Sequence, residues 1–260
     1  MLKQSHHNLK TYPLSAHFAE LKKRLTIVMV CFSIASITSY YFCQEIFQFL
    51  LKPLVNSTID TRRIIYTGLT EAFFTYLSLS AFVGFAISTP IIAFQIYKFI
   101  SPGLYVSERK TAKILLFASP ILFIIGGLFV FYLIIPKAWS FFISFEMTDG
   151  VTPIILEAKI SEYLSLVIKL IMAFGGAFQM PVILIILSLM HILSGQMLRE
   201  KRRIAIVINF IIAGIITPPD ILSQISLAIP MMLLYEFSII GMDYFKRKDS
   251  GEKNARYKVD

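Results

Sequence analysis

Residues 114–135 read ILLFASPILFIIGGLFVFYLII, 22 positions without a charged side chain. An α-helix rises about 1.5 Å per residue, so about 20 apolar residues cross the roughly 30 Å hydrocarbon core of a bilayer. Five further apolar runs lie on either side of this stretch, at residues 25–43, 73–96, 163–190, 204–216 and 221–242. The pattern predicts an all-α, polytopic membrane protein with six transmembrane helices.

Lysine and arginine residues are concentrated in alternate connections between these runs. They crowd into the N-terminal 24 residues, the second connection, the fourth connection and the tail after residue 243, whereas the other three connections are poorer in them. By the positive-inside rule, both termini are expected in the cytoplasm. The predicted organisation is an amphipathic N-terminal lead-in at 1–24, a six-span domain at 25–243 and a basic cytoplasmic tail at 244–260.

The composition supports a membrane protein. Hydrophobic residues make up 56% of the 260 residues, and the mean hydropathy is +0.71. The formal net charge of +9 arises from residues beside the apolar runs. Attraction to anionic lipid and the setting of topology explain that charge, and no nucleic-acid partner is predicted.

The runs and connections differ in ways that predict local structure. Apolar positions at 46–54 keep helical spacing, which predicts an amphipathic helix at the outer interface. The third run is expected to end at Pro136, before aromatic residues suited to an interfacial belt. The fifth run has 13 residues, or about 20 Å of helix, and is short for a span. The long fourth run is expected to tilt or bend near Pro181.

No arrangement of residues predicts catalysis or a bound cofactor. The four histidines and two cysteines form no metal-binding pattern, and no nucleophile–base motif is present in the sequence. An intramembrane enzyme is therefore the weakest interpretation, and neither a metal nor a cofactor is predicted.

Two isolated carboxylates lie in basic segments on the predicted cytoplasmic side. Glu20 precedes the first run and Glu108 precedes the third. Each could pair locally, as Glu20 could with Arg24 four residues later. Alternatively, both could accept hydrogen bonds from a cationic partner, because a carboxylate matches the geometry of a guanidinium group. The spacing leaves both interpretations open.

Polar residues within the spans suggest a second class of function. Glu236 is the only acidic residue deep in a run, and Gln179 lies in the fourth run. They could form the midplane site of a small-solute transporter, although the lack of an internal repeat counts against that alternative. For Gln179, hydrogen bonding between helices is the simpler expectation.

Four segments, taken in order, resemble the TatC family, the multispanning component of the twin-arginine protein translocase. They are HFAELKKRL at 17–25, AFQIYKFISPGLY at 93–105 followed by Glu108 and Arg109, FGGAFQMP at 174–181, and TPPDILSQ at 217–224. The resemblance covers nearly the whole chain. It implies six tilted helices in a cup-like bundle with an outer interfacial cap, in a bacterial inner membrane.

The resemblance also implies a receptor function. Such a protein binds twin-arginine signal peptides, assembles with single-span TatA-type and TatB-type partners and other copies of itself, and exports folded proteins by means of the proton-motive force. The implied signal-peptide-binding residues are Glu20, Lys22, Phe99, Glu108 and Arg109. Those implied in partner assembly or translocation are Pro53, Pro90, Pro102, Gln179, Asp220 and Glu236.

Two of these positions depart from the family pattern. Lys22 stands where many members carry arginine, so the charge is kept but the fork geometry is not. Gln179 stands where many bacterial members carry glutamate. An amide does not titrate, so this position argues against a proton-titrating role and leaves a hydrogen-bonding role open.

Overall fold

The computed structural model describes residues 14–56, 65–147, 156–216 and 221–256, and it omits the side chains of residues 14, 53–56, 106–107, 216, 221–223 and 246–256. Within these ranges, the chain is helical apart from short connections and one isolated bridge. The α-helices are α1 (Leu14–Tyr41), α2 (Cys43–Asn56), α3 (Glu71–Ile100), α4 (Val106–Phe129), α5 (Ile135–Ile143), α6 (Ile160–Ala177), α7 (Met180–Leu189), α8 (Gly195–Glu200), α9 (Arg202–Ile216) and α10 (Ile221–Arg256).

Five helical segments of the described chain are long and apolar enough to cross a membrane. They are Ser15–Tyr41, Glu71–Gly103, Glu108–Ile143, Ile160–Leu189 and Gln224–Phe245. The remaining predicted span is α9, whose 15 residues make only about 22 Å of helix. The short fifth run is therefore a short helix in the structure, and it packs against α10, α6 and α8.

The predicted boundaries of the six-span domain fall inside continuous helices. α1 begins at Leu14, so the N-terminal lead-in and the first span are one helix. Likewise, α10 continues past residue 243 to Arg256. Neither end of the described domain is marked by a break in secondary structure.

The third span does not end at Pro136 as the sequence suggested. Residues Val130–Ile134 form a π-helical turn, and α5 then continues to Ile143 with Pro136 in its first turn. Proline cannot donate a backbone hydrogen bond, and the π-helical turn directly before Pro136 is where the regular helical hydrogen bonding changes. The helical segment thus continues past Pro136 by way of a π-helical turn.

The helix of the fourth span is interrupted next to Pro181, the position at which the sequence predicted a bend. α6 ends at Ala177 and α7 begins at Met180, with Pro181 in the first turn of α7. The short interruption at Phe178 and Gln179 breaks the regular hydrogen-bond pattern of the long apolar run. This break directs the Gln179 side chain towards α4.

A cap covers the end of the bundle where α3 and α6 begin, which we call the cap end. It contains α2 and α5, and the Tyr163 hydroxyl of α6 donates to the Leu50 carbonyl oxygen of α2 at 2.8 Å. Ile65 pairs with the strand-like residues before α6, as its N–H donates to the Ala158 carbonyl oxygen at 3.1 Å. Trp139 was expected in an interfacial belt, but it is 7% exposed and packs edge-on against Tyr163, so it belongs to the core.

Candidate recognition site at the basic end

The opposite end of the bundle, which we call the basic end, joins the start of α1, the α3–α4 turn, α8 and the second half of α10. Glu20 lies on α1, where its Oε1 accepts hydrogen bonds from both Nε and Nη2 of Arg24. Arg24 also donates to the Lys98 carbonyl oxygen at 3.1 Å and to Gln95 Oε1 at 3.4 Å, both on α3. Arg24 therefore holds Glu20 and ties α1 to the end of α3.

Local pairing thus accounts for one oxygen of Glu20. The Glu20 side chain remains 38% exposed, whereas that of Arg24 is only 17% exposed. Glu20 Oε2 accepts no hydrogen bond from the residues that the structure describes. A cationic ligand could reach this oxygen, or it could compete with Arg24 for the carboxylate.

An aromatic contact places Phe99 beside Glu20 on the same side of the bundle. The rings of His17 and Phe99 stack with centroids 4.4 Å apart, which joins the first turn of α1 to the last turn of α3. Lys22 is exposed on α1. Phe99 therefore acts as a packing contact between helices here, while Lys22 contributes positive charge to the surface.

The α3–α4 turn is built so that Glu108 faces inwards. Residues Ser101–Gly103 form a 3-10 turn with Pro102 near its start, and the α4 helix follows. Glu108 Oε2 accepts a hydrogen bond from the Tyr105 N–H at 3.0 Å, which caps α4. Arg109 is exposed, and its Nε donates to the Leu104 carbonyl oxygen at 3.4 Å. The turn is thus held from both sides of Glu108.

Glu108 lines an open pocket of about 700 Å³ between α4, the α7–α8 connection and α10. Only 6% of Glu108 is exposed, yet its Oε1 accepts no hydrogen bond within the described part of the chain. A buried carboxylate without a cationic partner is costly, so a ligand that supplies a positive charge would be favoured here.

Further polar residues line this pocket, and the sequence did not point to them. Asp243 of α10 forms an ion pair with Arg199 of α8. His191 has a positive φ of 60° and packs its ring edge-on against Tyr105. Ser194 caps α8 by accepting the Met197 N–H at 3.2 Å. Asp243 directly follows the sixth apolar run, and an acidic residue at the end of a span is the one feature of the sequence that could have indicated it as a site residue.

The family resemblance also implied roles in assembly or translocation for three prolines and one aspartate, namely Pro53, Pro90, Pro102 and Asp220. Pro90 is exposed within α3, away from the α3–α4 turn that contains Pro102. Pro53 lies in α2, but its side chain is not described, and Asp220 lies outside the described residues. Neither Pro90 nor Pro102 lines the pocket beside Glu108.

Gln179 finds its hydrogen-bond partner inside the chain. Its Nε2 donates to the Ser119 carbonyl oxygen at 2.9 Å, and its Oε1 accepts from the Ser119 hydroxyl at 2.5 Å. Ser119 lies on α4, next to Pro120. The expectation of hydrogen bonding between helices is confirmed, and the amide does not require an incoming helix to be satisfied.

Glu236 is paired with a different helix. Arg202 Nη2 at the start of α9 donates to Glu236 Oε2 at 2.6 Å, and both side chains are nearly half exposed. Glu236 and Gln179 therefore serve separate helix pairs and do not converge on one midplane site. The transporter alternative loses its proposed binding site. In the described residues, no cluster of three potential metal ligands is present.

These features define a polytopic helical membrane protein with a carboxylate-lined pocket at its basic end. Comparison with known proteins agrees with this class. The family profile described as "Sec-independent protein translocase protein (TatC)" matches residues 16–230. A TatC protein of Rickettsia prowazekii is 55% identical over 253 residues, which cover 97% of this chain and 100% of that relative.

More distant relatives and a solved structure extend the match. A TatC protein of Aquifex aeolicus is 37% identical over 228 residues, covering 87% of this chain and 93% of the relative. A crystal structure of the twin-arginine translocase receptor TatC matches with a TM-score of 0.76 at 35% identity, covering 88% of this chain and 99% of the other. The chain belongs to the TatC family, and it is a membrane component of the Sec-independent protein translocase and not an enzyme.

Proposed function

We propose that this protein is the signal-peptide receptor of a twin-arginine translocase. In this proposal, both termini face the cytoplasm of a bacterial inner membrane, and the basic end binds the paired arginines of a signal peptide. The protein then assembles with TatA-type and TatB-type single-span partners and with further copies of itself. Folded passenger proteins cross the membrane by means of the proton-motive force.

The main support for this proposal is the environment of Glu108. It is a buried carboxylate with one unused oxygen, and it opens onto a pocket large enough for a guanidinium group. A charge-assisted hydrogen bond contributes about 1.5–3 kcal/mol, which corresponds to roughly 10- to 100-fold in affinity. One arginine of the signal would supply the missing positive charge.

Glu20 supplies the second carboxylate, and Arg24 would compete with a signal-peptide arginine for its hydrogen bonds. A signal guanidinium would take the free Oε2 of Glu20 or displace Arg24 from Oε1. Exposed cations such as Lys22 and Arg109 surround the two carboxylates and repel a cationic peptide at long range. Short-range, bidentate contacts must therefore supply the affinity, which favours arginine over lysine in the ligand.

Binding to an immobilised twin-arginine signal peptide tests the proposal. The full chain in detergent would be captured on the peptide, beside a matched peptide with two lysines in place of the arginines. We expect Glu108→Gln to lower retention at least about tenfold and Glu20→Gln to lower it less, because Glu20 is more exposed. Glu200→Gln, an exposed acid on α8, is the matched control and should bind as the unsubstituted protein does.

Salt gives a second readout, because exposed charge pairs are screened at high ionic strength. The difference between the unsubstituted protein and Glu20→Gln should therefore shrink as salt is added. Normal retention by the double variant Glu20→Gln, Glu108→Gln, or equal retention on both peptides, would contradict the proposal. Amounts of inserted protein in the membrane fraction control for folding.

A further inference from the structure

A second polar cleft lies at the cap end, on the opposite side of the molecule from the recognition site. It has a volume of about 810 Å³ and runs along the N-terminal parts of α3 and α6, from Glu71 to Ser78 on α3 and from Ser161 to Lys169 on α6. Carboxylates, hydroxyls and one ammonium group line it, together with apolar side chains such as Phe74 and Leu166. Such a polar lining is unusual in helices that cross a membrane.

The ammonium group belongs to Lys169, which has no partner in the described part of the chain. Lys169 is the tenth residue of α6, so its backbone lies about 14 Å beyond the start of that helix. Its side chain is exposed to the cleft. An unpaired ammonium group in a cleft between two membrane-spanning helices favours an anionic ligand.

Three hydroxyl groups in the same cleft also lack hydrogen-bond partners among the described residues. Thr75, Ser78 and Ser165 line the cleft and make no hydrogen bond among the described residues. Thr75 is only 6% exposed. By contrast, Ser88 of the same helix α3 satisfies its hydroxyl by donating to the Gly84 carbonyl oxygen at 2.7 Å. The cleft therefore offers several free donors beside the ammonium group.

The mouth of the cleft is acidic. Both carboxylate oxygens of Glu71 accept hydrogen bonds within the chain. Its Oε1 accepts from the Ser161 hydroxyl at 2.6 Å, and its Oε2 accepts from the backbone N–H groups of Thr67 and Gly68. Glu162 is available to a ligand, because its side chain is 73% exposed and its only ion pair with a described residue is a 3.7 Å contact with Lys159. The charges thus run from negative at the mouth to positive inside.

We propose that this cleft binds one phospholipid with a phosphoethanolamine headgroup. The lipid phosphate accepts hydrogen bonds from Lys169 and the free hydroxyls, and the lipid ammonium donates to Glu162 at the mouth. In a bilayer, the ammonium of this headgroup lies further from the hydrocarbon core than the phosphate does, which is the order of the opposite charges in the cleft. The acyl chains extend along the apolar side chains below.

The helix geometry allows both contacts at once. Glu162 and Lys169 are seven residues apart on one face of α6, or about 10.5 Å along the axis. Side chains on a helix lean towards its N-terminus, and a lysine stem is long enough to extend its ammonium to the interface. Because the lysine stem is longer than the glutamate side chain, the Lys169 ammonium can lie closer to the Glu162 carboxylate than the backbone spacing indicates.

Other headgroups match the cleft less well. A purely anionic headgroup would satisfy Lys169 but would place negative charge against Glu71 and Glu162. A choline headgroup carries its charge in the right order but has no N–H to donate to Glu162. The proposal concerns the cap end alone, so it does not depend on signal-peptide binding at the basic end.

Native mass spectrometry of the delipidated full chain in detergent tests this assignment. Phosphatidylethanolamine, phosphatidylcholine and phosphatidylglycerol with the same acyl chains would be titrated separately. We expect one phosphatidylethanolamine to bind, with affinity lowered about fivefold in Lys169→Met, as expected for one lysine near a charged lipid. Lys169→Arg should keep most of the binding, and Glu162→Gln should reduce phosphatidylethanolamine to the level of phosphatidylcholine.

Lys137→Met, an exposed lysine on α5 outside the cleft, is the matched control and should bind as the unsubstituted protein does. Equal binding by the unsubstituted protein and Lys169→Met would overturn the proposal. Preferred binding of phosphatidylglycerol would overturn the headgroup assignment and indicate a simple anion site. If Lys169→Met leaves the lipid count unchanged but loses a co-purified single-span protein, a carboxylate on that protein's helix is the ligand instead.

Discussion

Gly84 of α3 lies against the backbone of α1, because a β-carbon at Gly84 would stand only 2.7 Å from the Cα atom of Ser36. Real β-carbons essentially never approach another atom this closely. The contact is with backbone, so rotation of the Ser36 side chain cannot relieve it. This close approach sets how tightly the first span packs along the second, and Arg24 fixes the same helix pair near the basic end.

Gly84→Ala should therefore destabilise the protein, since α1 must move away from α3. Overpacking of this kind costs about 1–3 kcal/mol, partly offset by the better helix propensity of alanine. Gly176→Ala in α6 is the matched control, because a β-carbon there would meet nothing within 4 Å. Thermal unfolding in detergent should show a lower Tm for Gly84→Ala only. Equal Tm values for the two variants would show that α1 can shift without cost.

Gln179→Leu should permit insertion and signal binding, but it removes both hydrogen bonds to Ser119. Each bond between membrane helices contributes about 0.6 kcal/mol on average, so a loss near 1 kcal/mol is expected from unfolding measurements. We also expect weaker association with a TatA-type partner or stalled export, as the family resemblance implies. Gln179→Glu should be tolerated, because a buried carboxyl can remain protonated and keep hydrogen bonding.

Ser119→Ala separates the two roles of Gln179. It removes the hydroxyl contact but leaves the glutamine side chain in place. If Ser119→Ala reproduces the export defect of Gln179→Leu, the amide acts only by joining α4 to α7. If Ser119→Ala exports normally while Gln179→Leu does not, either the remaining bond to the Ser119 carbonyl oxygen is sufficient for export or the amide also contacts a partner. In-membrane crosslinking to the partner, together with a passenger-export assay, distinguishes these outcomes. Full export by Gln179→Leu would show that Gln179 has only a structural role.

The pair formed by Arg202 and Glu236 predicts a small effect on stability. Both side chains are nearly half exposed, so either single neutral substitution should cost less than about 1 kcal/mol. The double exchange Arg202→Glu, Glu236→Arg should restore most of that loss in thermal unfolding. Export measured for Arg202→Gln and Glu236→Gln gives a further test. A defect confined to Glu236→Gln would indicate that Glu236 contacts a translocation partner as well as Arg202.

The proposed orientation predicts which connections are accessible from outside the cell. Cys31 and Cys43 are the only cysteines in the chain, so replacing both with alanine gives a clean background. Single cysteines at residues 56, 150 and 220 should then react with an impermeant thiol reagent in sealed cells, whereas those at residues 107, 196 and 250 should not. The reason is the alternating charge of the connections. Labelling at residue 107 from outside would reverse the orientation.

The helical, membrane-spanning architecture could be predicted from hydropathy, because crossing hydrocarbon requires a minimum length of apolar helix whatever the neighbouring helices do. The short α9, the amphipathic α2 and the interruption of the fourth span near Pro181 are likewise consequences of local sequence. The continuation of the third span past Pro136 was not predicted, since proline ends a helix in most contexts. Here a π-helical turn places it in the first turn of α5.

Part of the candidate site also followed from sequence. The Glu20–Arg24 pair is set by the spacing of one helical turn, which holds in any α-helix. The contact of Arg24 with Lys98, 74 positions away, and the pocket that joins Glu108 to Asp243 depend on how separate helices pack. By itself, the sequence determined which segments are helical and which residues carry charge. Only the tertiary structure decided which charges are paired and which remain free. Those contacts join residues on different helices, and the number of residues between them in the sequence does not predict their distance in space.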